Sequence, residues 1–188
     1  NGFTDSVAPC GTALTPEHLK IARKYANTVV LLFDGDSAGK NAALRHAHLL
    51  LPHALESYII TLPEGDDPDT FLLKHGKTGF EELLERKVPA LDYLVQQTIR
   101  KYPDSIQGRM QGLEELLPTL NEISDPKRRQ ISLMAIGERM KISADILAKE
   151  LKRKANKNLF NKVKNVNLDR LSNNPNISQD EQWLLQSL

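Results

Sequence analysis

Thr28-Val29-Val30-Leu31-Leu32-Phe33-Asp34-Gly35-Asp36-Ser37-Ala38-Gly39 is the stretch on which the fold turns. Its first six residues form a continuous apolar run rich in β-branched side chains. That is the pattern of a strand buried on both faces, as in parallel sheets. Asp34-Gly35-Asp36 ends the run, and from Ser37 to Leu51 the spacing turns helical until Pro52 stops it. Ser57-Tyr58-Ile59-Ile60-Thr61-Leu62 then reads as a second strand, closed by Pro63-Glu64-Gly65. Strand, helix and strand make a βαβ unit, which predicts a parallel pair with a right-handed crossover.

Upstream, Thr15-Pro16-Glu17 predicts a helix reaching about Ala26, with Thr15 as N-cap, Pro16 in the first turn and an acid after it. Downstream of Pro68 no further strand is expected. Helical spacing recurs at 68–74, 78–87, 90–102, 105–123, 126–140 and 144–155, with Gly76 as a stop and Asp125-Pro126 and Ser143 as starts. Residues 156–176 are Asn-rich and aperiodic and read as a linker. Residues 177–188, with Trp183, Leu184, Leu185 and Leu188 at helical spacing, read as the beginning of another domain. The fold class is thus α/β over residues 1–92, followed by an all-α bundle over 93–155.

The 188 residues are 40% hydrophobic and 26% charged, which argues against disorder, collagen and coiled coil. No apolar run is long enough to span a bilayer. The single cysteine, Cys10, excludes an internal disulfide framework and a multi-thiolate zinc site, and points to a reducing cytoplasm. The net charge of +1 hides a contrast. Residues 1–126 hold 12 Lys/Arg against 18 Asp/Glu, whereas residues 127–164 hold 12 against 3. An acidic front half suits cation binding, and a basic stretch suits a polyanion or a solvated helical face.

The chemistry concentrates in two acidic groups. Asp34 and Asp36 follow the first strand; Glu64, Asp66, Asp67 and Asp69 follow the second. A βαβ unit places both strand ends on one edge, where open sheets bind ligands. Carboxylates gathered there repel unless a cation neutralises them. Oxygen donors without His or Cys favour Mg²⁺ or Mn²⁺, which share their shell with water and phosphate, so phosphoryl transfer is the natural chemistry. Turn chemistry is the competing explanation for either group alone, because Asp and Gly both favour tight turns. Three other motifs fail. A calcium loop needs a Glu where Arg45 stands, a P-loop needs a Ser or Thr after Lys40, and Asp-nucleophile phosphatases continue with Gly-Thr rather than Ser37-Ala38.

Val30-Leu-Leu-Phe-Asp34-Gly-Asp36-Ser-Ala-Gly39 and Leu62-Pro-Glu-Gly-Asp-Asp-Pro-Asp69-Thr-Phe-Leu together resemble the Toprim domain of bacterial replicative DNA primases of the DnaG type. Gly11-Thr-Ala-Leu-Thr15, Leu113-Glu-Glu-Leu-Leu-Pro118, Ile142-Ser143 and Asp180-Glu-Gln-Trp-Leu-Leu are similar to the same family, so the likeness covers nearly the whole chain. The resemblance implies a partial Toprim fold with a Rossmann-like parallel sheet, and DNA-templated synthesis of RNA primers by two-metal nucleotidyl transfer. It implies Asp34 and Asp36 as catalytic metal-site acids, with Asp67 and Asp69 as further acids, and two Mg²⁺ or Mn²⁺ ions. Asp66 and Glu64 fit that role less well. Zinc would belong only to a domain absent here. The implied partners are a single-stranded DNA template, ribonucleoside triphosphates, and the replicative helicase through the domain beginning at 177–188; a membrane is not among them, and a monomer is expected. The family's first Toprim Glu has no counterpart here, so these 188 residues alone are expected not to make primers.

Lys40, at the start of the crossover helix, is placed to reach a phosphate or simply to cover solvated surface. Residues 134–152 have a helix-turn-helix flavour, flanked by Lys127-Arg128-Arg129 and by Lys152, Arg153 and Lys154. Base-reading side chains belong near a recognition helix's N-terminus. Ser143, Ala144 and Asp145 stand there, so a plain solvated face, with the cations serving the helix macrodipole, is the first reading of the basic charge, and contact with a nucleic-acid backbone fits it better than base reading does. The alternative function is therefore a non-catalytic nucleic-acid-binding module using the basic helices 127–157. A topoisomerase or nuclease with a Toprim domain is a third reading. The scattered histidines lack ligand spacing; His46 and His48 are two apart and face different directions.

Overall fold

The computed structural model describes residues 2–9, 13–53, 55–143, 145–147, 149 and 153. The elements run α1 (Pro16–Ala22), β1 (Thr28–Phe33), α2 (Ser37–Leu50), β2 (Glu56–Thr61), α3 (Pro68–Glu85), β3 (Val88–Pro89), α4 (Ala90–Lys101), α5 (Ile106–Glu122) and α6 (Pro126–Met140). Asn1–Ala144 form one compact unit and Asp145–Leu188 a second. The expected linker at 156–176 and the domain start at 177–188, Trp183 included, lie outside the described residues.

β1 and β2 pair in parallel, from Thr28 opposite Glu56 to Phe33 opposite Thr61. The βαβ expectation therefore holds. The sheet nevertheless differs from the expected all-parallel one. After α3 the chain adds β3, which pairs antiparallel with β2 through Val88 opposite Ile59 and Pro89 opposite Tyr58. The sequence predicted no strand here because two residues cannot display an alternation. Proline suits the position, since β3 ends the sheet and needs no outward ladder donor.

β1 also departs from expectation in burial. Its residues from Val29 to Phe33 are half-buried rather than enclosed, and Thr28 is exposed. Among the described residues β1 has a strand neighbour on one side only. The central strand β2 does bury two successive residues, Ile59 and Ile60, which face opposite sides of the sheet.

α2 packs on β1, on β2 and most extensively on α4. Ala43 and Ala47 are fully buried there, and their small side chains at i and i+4 let the neighbouring elements approach closely. α4 in turn packs on α5 and α6, and the core is filled by Leu94, Val95, Leu113, Leu116, Leu117, Leu120, Ile123 and Ile136. α1 has the expected start: Thr15 accepts from the His18 N–H, and His18 Nδ1 accepts from the Thr15 N–H. It ends at Ala22, short of the expected Ala26, in successive tight turns through Tyr25. Segments 68–74 and 78–87 form a single element, broken where expected by Gly76 at φ 64° and ψ −170°. α6 closes on Lys141 in the left-handed conformation (φ 53°, ψ 43°) before helical residues 145–147, which is the break expected between the paired helices.

Candidate active-site edge

The two acidic loops meet. As β2 ends, the Leu62 N–H donates to Phe33 O at 2.9 Å, and the Gly35 N–H donates to Asp66 O at 3.0 Å. The approach is close enough to dictate a residue type. A Cβ at position 35 would stand 1.7 Å from Pro63 O and 2.4 Å from the Pro63 carbonyl carbon. Gly39 is held likewise, with the Asp34 carbonyl oxygen 2.2 Å from where its Cβ would be. Asp34-Gly35-Asp36 and the 62–67 loop therefore form one surface at the carboxyl ends of β1 and β2.

Two acids begin helices. Asp36 is the N-cap of α2, its Oδ1 accepting from the Gly39 N–H at 2.6 Å. Asp67 is the N-cap of α3, its Oδ1 accepting from the Thr70 N–H at 2.7 Å. The Thr70 backbone N–H, helped by the Thr70 side chain, holds the Asp67 carboxyl below the usual carboxylate range. Asp67 is therefore charged at neutral pH. Asp34, Asp36, Asp67 and Asp69 are all exposed. Asp66 is not. Its side chain is 8% exposed and forms an ion pair with Lys74 of α3. Charge pattern alone does not distinguish it from its neighbours; a lysine eight residues on, two turns into the following helix, was the available signal.

Lys40 is exposed in the first turn of α2. Arg153 is helical and exposed, while Lys152, Lys154, Gly11 and Thr12 lie outside the described residues. The basic cluster at the start of α6 proves partly structural. Arg128 Nη1 donates to His53 O at 2.8 Å, and Arg129 forks onto Ile123 O with Nε at 2.9 Å and Nη2 at 2.6 Å. Arg139 pairs with Asp92 at 2.7 Å. His48 Nδ1 lies 2.7 Å from Thr119 Oγ1, a hydrogen bond between α2 and α5. A cavity of about 170 Å³, lined among others by Tyr102, Asp104, Arg109, Arg139 and Lys141, belongs to the helical part and contains none of the acids named above.

The donor set tests the implied metal. Among the described residues no three His, Cys, Asp or Glu side chains converge on a point where they could hold an ion, so an all-protein cage does not fit. An ion that takes one or two carboxylates and completes its shell with water and phosphate does fit, because Asp34, Asp36, Asp67 and Asp69 are all exposed on this edge.

The class that this fold and edge define is a Toprim-like α/β domain continued by helices, and a Toprim-like family model matches residues 1–72. Residue by residue and in three dimensions, the chain matches a segment of DnaG-type bacterial DNA primases. It is 28% identical to the DNA primase of Clostridium acetobutylicum over 187 residues, covering 95% of this chain and 29% of that protein. A solved DnaG catalytic core superposes with a TM-score of 0.69 at 27% identity, over 78% of this chain and 48% of the other. A DnaG primase catalytic domain bound to single-stranded DNA gives 0.64 at 28% identity, over 72% and 44%. The chain spans less than a third of the length of the curated relative it matches.

Proposed function

We propose that the chain is the metal-binding part of a DNA primase, a DNA-templated RNA polymerase that makes short RNA primers for replication. One observation carries the reading: hydrogen bonds from Leu62 and Gly35 join the two acidic loops into a single edge at the ends of parallel strands. Asp34 and Asp36 would hold Mg²⁺ or Mn²⁺, with Asp67 and Asp69 as further acids. Two bound ions would supply charge neutralisation for an attacking hydroxyl and a departing pyrophosphate. The chain's own part is to hold these carboxylates exposed and in place. Asp67 is held charged by the Thr70 N–H, and Asp36 and Asp67 are each oriented by the helix they cap. Lys40, on the first turn of α2, is available to a phosphate. Single-stranded DNA and ribonucleoside triphosphates are the substrates of this reading, with the helicase engaged through residues from 177 onward. The division at about residue 92 then separates the metal-bearing part from helices that support it.

The binding-module alternative draws less support, because Arg128, Arg129 and Arg139 are occupied by carbonyls and Asp92. Template-directed ribonucleotide incorporation by the intact protein, with Mg²⁺ and with Mn²⁺, tests the proposal beside Asp36→Asn. Asparagine caps a helix about as well as aspartate, so the fold should persist while incorporation falls by about a hundredfold or more. Activity that survives the substitution moves the chemistry away from this edge.

A further inference from the structure

Within the acidic loops, Asp66 makes the hydrogen bond to Gly35. The Asp66 carbonyl accepts from Gly35, which lies between Asp34 and Asp36, and the Asp66 N–H donates to Pro63 O at 3.1 Å. The next residue, Asp67, begins α3. Any displacement of Asp66 therefore moves one acidic pair against the other. Its carboxylate is almost fully buried although Asp67 and Asp69 beside it are exposed. Burial of a charge is unfavourable unless a partner offsets it. Lys74 is that partner, reaching back from two turns into α3. No salt bridge among the described residues engages Asp34, Asp36, Asp67 or Asp69; Lys74 pairs with the buried acid and acts on Asp67 only through space.

We propose that Asp66, braced by Lys74, is a positioning residue that sets the spacing between the pairs Asp34/Asp36 and Asp67/Asp69, and through it the affinity for divalent metal. This inference rests on the metal-site reading above. Asp66 itself binds no ion; it acts through Gly35 on one side and through the start of α3 on the other. Loss of the pair frees the 62–67 loop to drift from the 34–36 loop while the secondary structure stays in place.

The test is Mn²⁺ binding to the intact protein, followed by electron paramagnetic resonance of the free ion. Lys74→Gln, Lys74→Arg, Asp66→Asn and Asp34→Asn are compared with the unaltered protein. Half-saturation should rise about tenfold or more in Lys74→Gln and Asp66→Asn, the usual effect of removing a group that orients metal ligands, and Lys74→Arg should restore most of it. The Lys74 side chain is 55% exposed, so Lys74→Gln should fold and decides the matter if Asp66→Asn does not. Unchanged Mn²⁺ affinity in folded Lys74→Gln overturns the positioning role, provided Asp34→Asn weakens binding. If the unaltered protein binds no Mn²⁺, or Asp34→Asn binds it fully, the metal-site reading fails and this inference falls with it.

Discussion

Gly35→Ala tests the joint between the loops most directly. The new Cβ would stand 1.7 Å from Pro63 O, 2.4 Å from the Pro63 carbonyl carbon and 2.8 Å from Leu62 O. All three are backbone atoms, so no side chain can swing aside. Real Cβ atoms keep at least 3.0 Å, so the loops must part by the difference from 1.7 Å, at least 1.3 Å. Movement of that size stretches the 3.0 Å bond from the Gly35 N–H to Asp66 O beyond any useful length. A lost buried hydrogen bond costs about 1–3 kcal/mol and forced repacking about as much again, so a total near 3 kcal/mol is expected. For a chain of this size that lowers the thermal midpoint by roughly 10 °C. Circular dichroism melts of both proteins, with and without Mn²⁺, measure it. Metal should recover little of the loss, because the variant has displaced one acidic pair from the other. A midpoint within about 2 °C of the parent would show that the loops do not constrain each other, and the argument for a shared edge would go with it.

His48 predicts a pH dependence. Burial lowers its pKa, against the upward pull of Glu115 and Glu122, so the fold favours the neutral ring. The unfolded chain binds the extra proton first, and stability should be complete above the ordinary value of 6.5 and fall as the pH drops below it. Melts between about pH 8 and about pH 5 should show that loss, and His48→Gln should flatten it. Arg129→Ala removes both donors from Ile123 O and should cost about 1–3 kcal/mol in urea unfolding. Arg128→Ala and Arg129→Ala should leave the salt dependence of single-stranded DNA binding unchanged; a slope reduced by about one per arginine would restore the basic-helix reading.

The elements legible in the sequence were those whose signals are local. β1 spans the very residues of the apolar run, α6 begins at the Asp125-Pro126 signal, and Gly76 breaks its helix through a positive φ. β2 begins one residue earlier than predicted, because Glu56 joins the ladder opposite Thr28 and polarity gives no hint of that. What stayed hidden depended on tertiary neighbours. Two residues of β3 have no period to detect. The apolar content of β1 could not tell that, among the described residues, it has one strand neighbour rather than two. The basic stretch read as a candidate polyanion surface since a charge count cannot see Ile123 O or His53 O. The resemblance already set Asp66 and Glu64 apart as poorer candidates, but only the structure shows Asp66 buried against Lys74.

The overlap of capping and site chemistry explains why an Asp-Gly-Asp turn is such an ambiguous signal. Asp36 and Asp67 each use one carboxylate oxygen to satisfy a helix N–H. That is the turn chemistry which makes either motif unremarkable alone. Yet capping fixes a carboxylate's rotamer on a rigid element, which an exposed loop aspartate ordinarily lacks. The partial positive charge of a helix N-terminus would oppose a nearby cation, and the capping carboxylate offsets it. A helix start is thus made tolerant of a metal by the same side chain that begins the helix. The two explanations of the motif are not alternatives. On the proposed reading, what separates a site from a turn is that two such starts, α2 and α3, are fastened to one another through Gly35 and Asp66.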